Sequence, residues 1–179
     1  MRPYLTIVFC LWLLPMTNAA EQAFEKTAVG SIEVKTLPAA TLAACRGESD
    51  YFQRSDSLFG PLFRFIQSND IAMTTPVEAE INPGVMYFYM GTDAADRELN
   101  GTAEVELIQL PERTVLSIGI LGSYSAENFT QGVERLQEWL EKQTDYKATG
   151  PARAIYWNGP FTLPVLKRSE VHIPVSVKE

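Results

Sequence analysis

The side chains with the most chemistry to offer are His172, the chain's one histidine, and Cys45, the one cysteine beyond the apolar N-terminal run. A Ser-His-Asp or Cys-His arrangement with its own base would have to be built around His172. That residue lies in Val171-His172-Ile173-Pro174-Val175-Ser176-Val177, where apolar residues alternate with it. Period two places His172 on the face opposite the apolar one, which predicts an imidazole turned to solvent, with iron ligation as the other reading. Cys45 closes a strand-like run and reads as a small buried hydrophobe, thiolate ligation of iron being its alternative. Zinc and iron-sulfur centres need several Cys or His ligands, and this composition does not supply them. No Cys-x-x-Cys-His occurs, so a covalently attached haem is excluded. Glu78, Glu80, Glu104 and Glu106 alternate as the wet face of strands would, and no carboxylate pair is marked for acid-base work.

What the sequence does offer is an apolar slot. Phe59, Leu62, Phe63, Phe65 and Ile66 on one segment are followed by Met73 and the run Met86 to Met90. Arg64 stands among them, where a guanidinium could pair with a ligand carboxylate. The same residues would equally serve as the buried stripe of an amphipathic helix lying on a sheet.

Those residues must be held by one domain. Met1 to Ala20 reads as a secretory leader, with Arg2 before an apolar run from Tyr4 to Leu14 and small residues up to a cut after Ala19 or Ala20. The run is shorter than the about 20 apolar residues that span a bilayer, so no stable membrane insertion is expected after cleavage. Residues 21–179 suffice for a single core. The formal charge is −7, and one unit more negative once Arg2 is gone, which argues against nucleic acid or anionic surfaces as general partners. One cysteine in the mature chain permits no internal disulfide. Asn100-Gly-Thr102 and Asn128-Phe-Thr130 are sequons that matter only where exported proteins are glycosylated.

An internal echo organises the mature chain. IEVKTLPAATL, Ile32 to Leu42, aligns without gaps on VELIQLPERTV, Val105 to Val115, with Glu33/Glu106, Leu37/Leu110, Pro38/Pro111 and Thr41/Thr114 identical. Each copy is followed by a helical pattern and then by strand-like runs. In the first half, strands are expected at Ile32–Lys35 and Thr41–Cys45, and a helix carries Leu58, Leu62 and Phe65 or Ile66. Pro61 fits best in that helix's first turn, with Gly60 as its cap. A hairpin follows, Ile71–Ile81 and Val85–Met90 around Asn82-Pro83-Gly84. In the second half, strands are expected at Val105–Leu110 and Thr114–Ile120, then a helix with Phe129, Val133, Leu136 and Leu140 capped by Ser125, then Ala154–Trp157 and Val171–Val177. Two β-β-α-β-β halves make an α+β domain with a largely antiparallel sheet.

Two stretches are more specific. LFGPLFRFI at Leu58–Ile66 followed by IAMTTPV at Ile71–Val77, and PFTLPVLKRSEVHIPV at Pro160–Val175, resemble the SOUL family of haem-binding proteins. The resemblance implies a distorted eight-stranded antiparallel barrel of two pseudo-symmetric repeats, about 30–95 and 103–179, with two helices packed on it, as in effector-binding domains. It also implies non-covalent haem or porphyrin binding beside the first helix, at positions matching Leu62, Phe63, Arg64, Ile66 and Met73. Gly60-Pro61 departs from the family's usual helix. The expected function is an exported, periplasmic or secreted carrier or buffer of haem or a related tetrapyrrole, without catalytic turnover. The alternatives are a cleft for another apolar or cationic small molecule, favoured by exposed aromatics and a buried glutamate, and a cofactor-independent hydrolase.

Overall fold

The repeat in the sequence is a repeat of structure. The computed structural model describes residues 20–95 and 97–178, so the expected leader lies outside the described residues except for Ala20. The elements are β1 (Ile32–Leu37), β2 (Ala40–Arg46), α1 (Tyr51–Ser68), β3 (Val77–Glu80), β4 (Val85–Tyr89), α2 (Thr92–Ala95), β5 (Glu106–Leu110), β6 (Arg113–Leu121), α3 (Ala126–Glu141), β7 (Tyr146–Ala148), β8 (Arg153–Tyr156) and β9 (Arg168–Val177). Eight strands form one curled antiparallel sheet in the order β1-β6-β9-β8-β3-β4-β2-β5. Exchanging β1 with β5, β2 with β6, β3 with β8 and β4 with β9 returns the same order reversed, so a pseudo-twofold passes between β3 and β8. The aligned Leu-Pro turns join β1 to β2 and β5 to β6. Among the described residues no ladder joins β1 to β5, and the sheet is a half-barrel open between these strands. The short β7, which the sequence did not reveal, adds to the C-terminal half of β9.

Both long helices cover one face, α1 on β2 and β4 and α3 on β6 and β9. Ser125 caps α3 as expected, accepting from Asn128 N at 3.2 Å. α1 begins ten residues before Pro61, which corrects the expected start. Asp50 supplies the cap by accepting from Phe52 N at 2.9 Å, and the helix kinks at Arg54 (φ −138°, ψ 19°) before Pro61 is reached. Leu58 and Leu62 are buried against the sheet, so packing holds turns that proline alone would discourage.

Strand alternation divides the remaining side chains cleanly. Ala43, Cys45, Ala79, Met86, Phe88, Ala154 and Tyr156 lie in the cluster with Leu58, Leu62 and Phe65 of α1, and Leu116, Ile118, Val171 and Ile173 lie in the cluster with Leu136 of α3. Fully burying one such large side chain contributes about 1.5–3 kcal/mol. The opposite face carries Glu78, Tyr87, Tyr89, Arg113, Ser117, Arg153, Glu170 and His172. It is crossed by the segment 21–30, which bridges to Thr75 at one end and to Gly119 at the other. Gly119 permits that approach, because a Cβ there would collide with the Thr27 and Ala28 carbonyls.

Candidate ligand-binding cleft

The helix face is incompletely covered where α1 meets the end of β8. There a cleft of about 770 Å³ opens between the outer side of α1, the segment 73–77 and the loop after Tyr156. That volume lies within the roughly 300–1,000 Å³ usual for small-molecule sites. Its walls are aromatic because α1 presents Phe52, Phe59 and Phe63 on one side, and β8 ends in Tyr156 on the other. Phe59 and Phe63 stack at 5.6 Å, and Tyr156 stacks on Tyr51 at 5.8 Å and lies 4.4 Å from Tyr124. Phe63 is 39% exposed, an aromatic ring left partly in water although the protein has a core to put it in. Burial raises the pKa of Tyr124 to about 12 and pushes those of Tyr51 and Tyr156 higher still, so all three stay neutral phenols. The Tyr156 hydroxyl is buried without a hydrogen-bond partner. Lys167 lines the rim, with its ammonium 4.8 Å from the Tyr124 ring. Asp56 is the acidic residue of the lining, and it is exposed.

Of the five positions expected to hold a ligand, Phe63 and Met73 line this cleft together. Leu62 and Ile66 are fully buried between α1 and the sheet and serve the core. Arg64 points to the other flank of α1, where its Nη2 pairs with Glu104 at 3.2 Å, both side chains being mostly exposed. The tyrosines of the cleft were missed, because Tyr51, Tyr124 and Tyr156 come from three separate segments and meet only after folding.

The opposite face corrects two expectations. His172 is on the face that alternation assigned, but it is 2% exposed rather than solvated. Alternation identifies a face without saying whether the chain covers it, and here the segment 21–30 does, with Phe24 5.7 Å from the imidazole. His172 Nε2 lies 2.7 Å from Glu170, and burial lowers the imidazole's pKa despite that carboxylate. Glu170 also accepts from Thr27 N at 2.9 Å, Trp157 Nε1 at 2.8 Å, Ser117 Oγ at 2.9 Å and Lys35 Nζ at 2.7 Å. Burial alone would raise the Glu170 pKa, but His172 and Lys35 outweigh it and bring it down to about 2. Glu78, expected on a wet face, is fully buried. It binds Arg113 at 2.7 Å, Arg153 at 2.6 Å and the Tyr89 hydroxyl, and the two guanidiniums overcome burial to hold its carboxyl below the ordinary range. Glu78 and Tyr87 face each other across the β3-β4 hairpin. The hairpin was legible in the sequence, whereas the arginines that β6 and β8 bring to Glu78 were not.

Cys45 faces α1 and is buried, and burial raises its thiol pKa, so it remains protonated at neutral pH. It lines a separate polar recess of about 680 Å³ on the Arg64 side of α1.

Comparison with known proteins matches residues 20–174 to the family model described as SOUL heme-binding protein. The chain belongs to the SOUL family. No curated protein matches its sequence. Among solved structures, the SOUL chain is similar to the C-terminal domain of EcmrR (15% identity, TM-score 0.66), covering 82% of this chain and 97% of that domain. In the EcmrR–DNA complex the match covers 57% of the EcmrR chain (16% identity, TM-score 0.67, 82% of this chain), so this protein spans little more than half of that one. A hydrolase from Listeria innocua is similar over 84% of this chain and 94% of its own (14% identity, TM-score 0.57). SAV2435 bound to tetraphenylphosphonium is similar over 82% and 94% (15% identity, TM-score 0.50). At these identities the likeness is one of fold.

Proposed function

We propose that this SOUL protein binds haem or a related porphyrin non-covalently in the aromatic cleft beside α1 and serves as an exported carrier or buffer. The observation that carries the reading is the cleft itself, with Phe52, Phe59, Phe63, Met73 and Tyr156 offering apolar and aromatic surface in a protein of a haem-binding family. A porphyrin needs such surface for its macrocycle and cations for its propionates. Phe59 and Phe63 supply stacking faces, and Lys167 at the rim supplies an ammonium group. Arg64 is turned away from this cleft, so we assign it no propionate. Bound haem would bring an iron centre, and His172 lies on the opposite face of the sheet, tied to Glu170. Binding without a histidine ligand suits reversible loading.

The effector-type reading calls for an unpaired buried carboxylate beside the aromatics. The buried glutamates here are on the other face and already matched by Arg113, Arg153 and Lys35. The hydrolase reading lacks support for a similar reason, because the chain's one imidazole is engaged there.

A haemin titration followed by Soret absorbance tests the proposal. Saturable one-to-one binding is expected to weaken in Phe63→Asp and Lys167→Ala and to persist with an unchanged spectrum in His172→Ala. Saturable uptake of tetraphenylphosphonium with none of haemin would replace it with the cationic-ligand reading.

A further inference from the structure

The loop from β8 to β9 exposes Phe161 (99%), Leu163 (64%), Val165 (70%) and Leu166 (59%) within six residues, half of the large exposed apolar side chains among the described residues. Isolated exposed hydrophobes are ordinary, but a contiguous group at the tip of a loop marks a contact surface. We infer that this loop docks the protein on a lipid bilayer, its apolar tip entering the interface and Arg168 meeting headgroup phosphates.

Three features favour a bilayer over a protein partner. The first is backbone chemistry, since every N–H that is absent or bonded within the loop lowers the cost of entering the interface. Pro160 and Pro164 have no N–H to satisfy. Thr162 N donates to Gly159 O at 3.2 Å, Leu166 N to Leu163 O at 2.9 Å and Lys167 N to Pro164 O at 3.2 Å, all inside the loop. The second is charge. No acidic residue occurs from Trp157 to Ser169, although the whole chain is acidic, and exposed Arg168 stands where the loop re-enters the sheet. A cation just behind an apolar tip is the arrangement that interfacial segments use. The third is rigidity at the base. Asn158 Oδ1 accepts from Arg168 N at 2.6 Å, and the Tyr124 hydroxyl accepts from Asn158 N at 2.8 Å while donating to Arg168 O at 3.0 Å. The tip is therefore held out from a fixed platform. Asn158, Gly159 and Pro160 also line the cleft, so a docked protein would open its apolar pocket beside the membrane.

Flotation with vesicles tests the docking without any porphyrin, so its result is independent of the haem reading. The protein lacking residues 1–19, which keeps every element of the fold, would be compared with Phe161→Ser/Leu166→Ser and with Arg168→Glu. Vesicles would be phosphatidylcholine alone or phosphatidylcholine with phosphatidylglycerol. The parent should float with both and better with the anionic mixture. The double variant should partition at least about tenfold less, since burying each apolar side chain is worth more than the 1.4 kcal/mol of one decade. Arg168→Glu should lose the anionic preference. Unchanged circular dichroism and an unchanged urea unfolding midpoint in the double variant would show that the fold is intact. A parent that stays with the soluble fraction, or variants that float equally well, would overturn the inference. So would a parent dimer that fails to float and becomes monomeric in the double variant, which would make the loop a contact between copies.

Discussion

The two faces of the sheet are drawn from the same strands and solve opposite problems. β8 sends Tyr156 toward α1 and Arg153 the other way, and β9 divides Val171 from Glu170 and His172 in the same manner. On the face crossed by the N-terminal segment, every buried carboxylate has its cations and donors within the chain. On the helix face, Phe63 is left 39% exposed at the mouth of an aromatic cleft. Buried charge thus marks the face that the chain closes by itself, and uncovered apolar surface marks the face on which we propose that a ligand binds.

The sharpest way to break that contrast is to remove Glu78. Glu78→Ala would leave Arg113 and Arg153 facing each other in a closed site, and losing one side of such a pair costs about 3–5 kcal/mol. Urea unfolding should show a loss of that size, with the haemin affinity of the folded fraction unchanged. Acid should act on the same face. Because the Glu170 pKa is depressed to about 2 in the folded protein, its stabilising effect is present above the ordinary carboxylate value near 4.5 and is lost as pH falls from there toward 2. About 3 kcal/mol should disappear across that window at 1.36 kcal/mol per pH unit, and Glu170→Gln should flatten this part of the stability profile.

The helix face should respond in the other currency. Phe63→Asp should weaken haemin binding by about 1.5–3 kcal/mol, roughly tenfold to a hundredfold, while the unfolding midpoint hardly moves. A matching loss of stability would instead make Phe63 an ordinary core residue. The smallest effects separate the two flanks of α1. Lys167→Ala should weaken haemin binding a few-fold, whereas Arg64→Ala should leave it within error, because its exposed pair with Glu104 is worth about 0–1 kcal/mol to stability alone.

The sequence exposed most of the fold, because each half repeats Glu-x-x-x-Leu-Pro-x-x-Thr and alternation fixed the strand faces. It misplaced the start of α1, since a proline's preference is local and the burial of Leu58 is not. It misjudged the surroundings of His172 and Glu78 for a related reason. Which face of a curled sheet is closed depends on where residues 21–30 run, and nothing in the alternation of β3 or β9 records that path. Phe63 and Met73, which line the cleft, lie inside the two motifs and so could be named from the sequence, but the tyrosine half of the cleft is assembled from three segments distant in the chain.

The reversible strand order has a consequence for how the chain folds. β1 has its ladder with β6, from Ile32 opposite Ile118 to Leu37 opposite Arg113, and β5 has its ladder with β2. Each half therefore lends its first strand to the other, and neither can complete its own share of the sheet. These pairings join residues far apart in the chain, and such topologies form slowly compared with local ones. A chain released before Arg113 holds β1 without a neighbour, so the first half stays unpaired at that edge until the second has been made.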